Sequence, residues 1–171
     1  MSNTIVSRTL WFVFYVLLQG LVLNHINFLD SINPYLYILF LIKTPANIGR
    51  GNLLLIGFAL GMCVDVLSST PGMHASATTL AAYIKPNIDA MFADRDERKN
   101  GVVASAKSFG LASYMRYAAV LTILHHLAYF FVCASNIELI FLVLKNTLCS
   151  VIFTMLLIFI IESYNDRRNR R

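Results

Sequence analysis

Apolar residues fill most of this chain in long runs, and short polar segments separate the runs. These runs predict helices over about residues 8–28, 53–67, 73–91, 112–134 and 137–161. A further run, residues 35–42, would cover only about 12 Å as a helix. We expect this second run to be a tilted or extended span, or a half-helix that dips into the membrane.

Composition places the chain among integral membrane proteins. Of its 171 residues, 57% are hydrophobic and 13% are charged, whereas soluble domains carry about 25% charged residues. A chain of this length has room for about six membrane-spanning helices and for no separate soluble domain. We therefore predict an all-α fold, in which residues 1–171 form one integral membrane bundle of about six transmembrane helices.

The basic residues predict how this bundle is oriented. With both termini in the cytoplasm, every Lys and Arg except Lys145 falls on the cytoplasmic side, as the positive-inside rule requires. That side would include a polar loop over about residues 92–111 and a basic tail over residues 162–171. The same placement explains the net charge of +5 without nucleic acid as a partner.

A carboxylate, Asp65, lies inside an apolar run, where an ionisable group is costly and indicates a specific role. Gly57, Gly61 and Asp65 recur every four residues, so they share one face of their predicted helix. Small residues at this spacing let a second helix approach closely. That helix would belong either to this chain, which supplies a small-residue surface after residue 74, or to a partner.

Pro71 and Gly72 predict a tight turn after this helix, and His74 follows the turn at a depth similar to that of Asp65. We expect a hydrogen bond from His74 to Asp65 to offset the desolvation of the carboxylate. Two interpretations stay open. The pair either locks the hairpin or belongs to a site that the hairpin presents to a ligand or partner.

The last two long helices predict a second polar group. If their turn is centred between residues 135 and 136, His126 lies level with Lys145, and His125 level with Asn146, about 13 Å from the turn. A lysine at that depth should face the bundle interior, in a water-filled cavity or a polar network. Adjacent histidines point about 100° apart on a helix, so we expect no metal site here.

Enzyme motifs are missing from the sequence, which contains no HExxH, no GxSxG and no Gly-rich phosphate loop. We therefore expect no catalytic residues, no metal and no cofactor. Cys63, Cys133 and Cys149 lie in apolar runs without metal-ligand spacing, and we interpret them as buried free thiols.

The block over residues 57–75, GFALGMCVDVLSSTPGMHA, together with the small-residue helix that follows, resembles the core motif of the MreD family of rod shape-determining membrane proteins. Lys145 and the short second run depart from the family pattern. The resemblance is carried by Gly61, Asp65, Pro71, Gly72, His74 and Ala75, and the pair His125-His126 is similar to a pattern in some branches of the family.

The resemblance implies a non-catalytic scaffold of the bacterial cell-elongation machinery (the elongasome) in the cytoplasmic, or inner, membrane. Such a subunit supports peptidoglycan synthesis and the regulation of cell shape. Its implied partners are an MreC-like bitopic membrane protein, RodA, a class B penicillin-binding protein and MreB, within the lipid bilayer. The implied fold is similar to the six-helix substrate-binding subunits of ECF transporters.

Two other functions stay open from the residues alone. A polar cavity around His125, His126 and Lys145 would suit a small-molecule-binding membrane transport subunit. An intramembrane hydrolase would need a reactive serine beside a histidine, and Ser68 and His74 lie at similar depth.

Overall fold

This computed structural model describes residues 2–25, 33–134 and 137–169, which form helices and no strand, so the all-α prediction is confirmed for them. The end of the first predicted helix, residues 26–28, the turn at residues 135–136 and the last two residues of the tail lie outside the described residues. The helices are α1 (Ser2–Leu17), α2 (Ile38–Ile42), α3 (Arg50–Ser68), α4 (Met73–Phe92), α5 (Arg95–Lys99), α6 (Ala106–Phe109), α7 (Leu111–Cys133) and α8 (Ile140–Asn169). A π-helical turn, Leu18–Val22, continues α1 and is followed by a 3₁₀ turn, Leu23–His25, while another 3₁₀ turn, Ile137–Leu139, precedes α8.

Within the described ranges, four helical segments are long and apolar enough to cross a membrane, which is compatible with a multi-pass membrane protein. The prediction of about six such helices is confirmed only to this extent. The helix α4 has 20 residues but carries polar and charged side chains along its length, and α2 has only five residues. The four segments are Ile5–Val22, Arg50–Ser68, Leu111–Cys133 and Ile140–Arg168.

The small-residue face of α3 packs against α4 of the same chain. A Cβ atom added at Gly61 would lie 2.5 Å from the Cα atom of Ala75, and one added at Gly57 would lie 2.7 Å from the Cβ atom of Ala82. Contacts this close require glycine, because any side chain would separate the helices. The helix that packs on the glycine face of α3 therefore belongs to this chain and not to a partner. This packing leaves no room for a partner's backbone at these glycines.

The second run combines an extended start with a short helix. Residues 33–35 have no regular structure, a turn over residues 36–37 leads into α2, and every residue of α2 except Phe40 is buried. The ring of Tyr35 lies 6.1 Å from that of Phe130, while Nζ of Lys43 lies 4.6 Å from the centre of the Tyr114 ring. The run therefore follows residues 114–130 of α7, about 24 Å of that helix.

The polar loop predicted over residues 92–111 contains α5 and α6. Each of these short helices begins with a capping box, formed by Asp94 with Glu97 and by Ser105 with Ser108. Such boxes satisfy the backbone N–H groups that a helix start leaves without partners. The helix α4 that precedes this loop continues through Pro86 to Phe92.

Gly61→Ala should destabilise the protein, because the added methyl group would meet the α4 backbone at 2.5 Å. We expect the free energy of unfolding in detergent micelles to fall by about 1–3 kcal/mol. Gly51→Ala lies in the same helix with nothing within 4 Å of the added methyl group. This control should be neutral or stabilising by up to about 1 kcal/mol. Equal unfolding midpoints for the two variants would contradict the close packing.

Candidate functional site

Asp65 caps the start of α4 across the hairpin turn. Its carboxylate accepts the backbone N–H groups of His74 and Ala75 and the hydroxyl of Thr70, each at 2.9 Å. The residue is only 3% exposed. The first N–H groups of a helix have no partner within the helix and carry its partial positive charge, so they suit a buried carboxylate. Asp65 therefore joins the end of α3 to the start of α4.

The predicted hydrogen bond from His74 to Asp65 is present, and its donor is the backbone N–H of His74 rather than the imidazole. The ring points into the bundle, where Nδ1 lies 3.0 Å from the Tyr37 hydroxyl and the ring stacks on Tyr129 at 4.5 Å. The turn explains the difference, because Gly72, with φ of 82°, aims the first N–H groups of α4 at the carboxylate. Pro71 is exposed in this turn.

A buried polar cluster surrounds the hydroxyl of Tyr37. We call Tyr37, His74, Thr78 and His125 the Tyr37 cluster. The hydroxyl oxygen lies 2.6 Å from Nε2 of His125, 3.0 Å from Nδ1 of His74 and 3.1 Å from Oγ1 of Thr78. All four residues are at most 1% exposed. The cluster therefore connects the second run to both α4 and α7.

The hydrogen-bonding groups of the Tyr37 cluster can all be paired while every side chain stays uncharged. Thr78 donates its proton to the carbonyl oxygen of His74 at 2.7 Å, which leaves its own oxygen as an acceptor. When His74 carries its proton on Nδ1 and His125 carries its proton on Nε2, both rings donate to the Tyr37 oxygen, and Tyr37 donates to Oγ1 of Thr78. In this arrangement every hydrogen bond of the cluster has one donor and one acceptor. Such a network orders a core without a buried charge.

His126 anchors α8 to the same region. Its Nδ1 lies 2.8 Å from the carbonyl oxygen of Thr122, which makes Nδ1–H the donor, and its Nε2 lies 3.1 Å from Oγ1 of Thr154 on α8. The hydroxyl oxygen of Thr154 also accepts the backbone N–H of Tyr35 at 3.1 Å. His125 and His126 are in contact through their Nδ1 atoms, 3.4 Å apart. The second run, α7 and α8 therefore meet at this point.

Lys145 does not face the bundle interior, contrary to the prediction. Its side chain is exposed on α8, whereas His125 and His126 are fully buried, so these three residues do not line a common cavity. The 3₁₀ turn Ile137–Leu139 precedes α8, which begins at Ile140, so α7 and α8 do not form the symmetric hairpin on which the prediction was based. His126 lies level with Thr154, whose Oγ1 is 3.1 Å from its Nε2.

Among residues 2–25, 33–134 and 137–169, no group of three His, Cys, Asp or Glu side chains is placed to hold a metal ion. The three cysteines are free thiols, as predicted, but they are not buried: Cys63 is exposed, and Cys133 and Cys149 are partly exposed.

Sequence reasoning missed two ion pairs, one partly buried and one buried. Both lie at the end of the bundle where α1 begins and α8 ends, which we call the terminal end. Nζ of Lys43 lies 2.6 Å from Glu162, whose other oxygen accepts the Ala106 N–H at 2.6 Å. Lys85 pairs with Asp89 one turn further along α4, at 2.8 Å. The i,i+4 spacing of Lys85 and Asp89 was a visible signal. The sequence offers no comparable signal for Lys43 and Glu162.

Gln19 is a further buried polar residue that the sequence reasoning passed over. Its amide nitrogen donates to the carbonyl oxygen of Pro34 at 3.0 Å, and its amide oxygen accepts the N–H of Tyr37 at 3.4 Å. A glutamine inside an apolar run is itself a signal for a buried hydrogen-bond partner. Gln19 therefore fastens the π-helical turn after α1 to the start of the second run.

Comparison with known proteins gives no match, since no protein-family model, curated protein or solved structure is found to be similar to this chain. Over the residues that the structure describes, the fold and the site define a class, an all-helical protein with four helices that can cross a membrane and a buried polar core. The resemblance to MreD and the similarity to ECF transporter subunits stay predictions.

Asp65→Ala should be strongly destabilising, because it leaves two buried N–H groups at the start of α4 without an acceptor. We expect a loss of about 3 kcal/mol in the free energy of unfolding. Asp65→Asn keeps one acceptor oxygen and should cost less. Asp96→Ala, at an exposed position in α5, is the control and should stay within about 0.5 kcal/mol of the parent protein. A mild effect of Asp65→Ala, equal to that of the control, would exclude the cap.

Tyr37→Phe removes the hydroxyl at the centre of the Tyr37 cluster while keeping the ring. The loss leaves His125 and His74 with unpaired ring nitrogens, so we expect unfolding in detergent micelles to require about 1–3 kcal/mol less. The matched control is Tyr83→Phe, whose side chain is 58% exposed. If both variants unfold at the same denaturant concentration, the cluster does not hold the second run in place.

Proposed function

We propose that this protein is a non-catalytic scaffold subunit of the bacterial cell-elongation machinery, similar to MreD. In this role it binds an MreC-like bitopic membrane protein and supports peptidoglycan synthesis and rod cell shape. The proposal rests on the contacts that residues 57–75, the block that resembles MreD, make in the structure. Gly61 packs on the α4 backbone, Asp65 caps α4, and His74 joins the Tyr37 cluster. These are structural tasks within one chain, which suits a scaffold better than an enzyme.

The proposed topology has six crossings of the inner membrane with both termini in the cytoplasm. Two segments would add to the four apolar helices. α4 returns beside α3 after the hairpin turn, and the second run follows α7 from Phe130 to Tyr114. This arrangement assigns the basic loop over residues 43–52 and the start of α1 to the cytoplasmic side, in agreement with the positive-inside rule.

An exposed groove on the α3–α4 hairpin is the proposed docking site for the transmembrane helix of the MreC-like partner. We call it the hairpin groove. Its volume is about 560 Å³. Small residues form part of it, which allows a helix backbone to approach closely, and larger apolar side chains flank them. The groove is lined by Leu54, Phe58, Met62, Gly72, Ala75, Ser76, Thr79, Leu80 and Tyr83.

The hairpin groove belongs to the same block that carries the family resemblance. The glycine face of that block is already covered by α4, so the groove is the part that remains open to a partner. RodA, a class B penicillin-binding protein and MreB would join the assembly with the MreC-like partner.

Ser76→Trp should weaken binding of the MreC-like partner, because an indole at this exposed position would fill the hairpin groove. In a co-purification from membranes we expect the captured partner to fall at least about tenfold, equivalent to about 1.4 kcal/mol of binding free energy. Ala59→Trp is the matched control, since Ala59 is also exposed on this hairpin but does not line the groove.

Both variants should insert into the membrane and unfold at the same temperature as the parent protein. Undiminished capture by Ser76→Trp would exclude the hairpin groove as the docking site. If the parent protein captures no MreC-like protein, the proposed function itself is wrong.

A further inference from the structure

A second groove opens along α1 at the terminal end of the bundle, and we call it the α1 groove. It has a volume of about 800 Å³, with side chains from α1, α2, α3 and α8 in its walls. This volume lies within the range of about 300–1,000 Å³ that is typical of ligand sites in proteins. The groove is partly open, because Trp11, in its wall, is 53% exposed.

The lining of the α1 groove changes from polar to apolar with depth. Its hydrophilic residues other than Tyr15 lie at the terminal end, and beyond them the walls are apolar as far as Leu18 on the π-helical turn and Leu36 on the second run. An amphiphile has the same order of polar and apolar parts. The polar residues at the mouth are Arg8, Thr9, Lys43, Thr44 and Asn165.

The depth of the α1 groove matches one leaflet of a bilayer. From Arg8 to Leu18 it follows about 15 Å of helix, which is half of a hydrocarbon core of about 30 Å. Its inner end is closed directly after Leu18, where Gln19 donates a hydrogen bond to the carbonyl oxygen of Pro34 at 3.0 Å. A single acyl chain fits this length, whereas a spanning helix of a partner protein would need a groove that continues across the membrane.

Arg8 supplies the uncompensated positive charge at the mouth. Lys43 is already paired with Glu162 at 2.6 Å, so its charge is balanced within the chain. Arg8 is exposed, and none of the described residues that line the α1 groove is an aspartate or a glutamate. An arginine at headgroup level attracts an anionic lipid by about 1 kcal/mol.

We propose that the α1 groove binds one acyl chain of an anionic phospholipid, with the lipid phosphate beside Arg8 and the chain directed toward Leu18. The bound lipid would cover the apolar side of α1 that faces α2. Trp11 would flank the chain just below the phosphate, where aromatic side chains favour the membrane interface. This proposal is independent of the proposed role in cell elongation.

Trp11 makes the test direct, because it is the single tryptophan of the chain and lines the α1 groove. The full-length protein is reconstituted in vesicles of phosphatidylcholine and phosphatidylglycerol, with bromine on the acyl chains of one lipid at a time. Bromine quenches tryptophan fluorescence at short range. We expect quenching to show that phosphatidylglycerol binds next to Trp11 about fivefold more tightly than phosphatidylcholine.

Arg8→Gln should abolish this preference, while Arg8→Lys, which keeps the charge, should retain most of it. Arg168→Gln is the matched control, because Arg168 is exposed on α8 but does not line the groove. Equal quenching by the two lipids, or an equal loss of preference in Arg168→Gln, overturns the proposal. Relief of quenching by inorganic phosphate would indicate a site for a free anion. Absence of quenching by both lipids would indicate that a protein covers the groove. Each of these last two results also overturns the proposal.

Discussion

The hydrogen bonds of the Tyr37 hydroxyl are the contacts on which the rest of the bundle depends. In apolar surroundings an unpaired polar group costs several kcal/mol, so each such group constrains where its partner must lie. The Tyr37 hydroxyl lies 2.6 Å from His125 and 3.0 Å from His74, which positions the second run between α7 and α4. Asp65 at the start of α4 and Gln19 beside Pro34 follow the same rule. The polar residues of these apolar segments therefore specify how the helices are arranged.

Helix positions were predictable from the sequence, because length and hydropathy are local properties. The apolar runs predicted α3, α4 and α7 with ends close to those observed. The helix α8 begins at Ile140 rather than 137 and continues to Asn169, through most of the segment that was predicted to be a basic tail. The relative shift of α7 and α8 was not predictable, because it depends on the turn Ile137–Leu139 and on the contact between His126 and Thr154. For the same reason Lys145 was placed wrongly. The path of the second run depends on partners distant in sequence, such as the Thr154 hydroxyl that accepts the Tyr35 N–H.

The candidate site was predictable in part. An acid in an apolar run requires a partner, and the Pro-Gly turn indicated that the partner lies across the hairpin. The sequence does not reveal that the backbone of His74 would serve Asp65 while its ring served Tyr37. Because these polar groups are paired within the chain, we propose that a partner and a lipid bind elsewhere, in the hairpin groove and in the α1 groove.

A double-mutant cycle between Tyr37 and His125 tests the central claim most directly. The free energies of unfolding would be measured for the parent protein, for Tyr37→Phe, for His125→Phe and for the double variant. Because the two side chains share a buried hydrogen bond of 2.6 Å, the account predicts a coupling energy of at least about 1 kcal/mol. Effects that add to within about 0.3 kcal/mol would show that these residues do not interact, which contradicts the account.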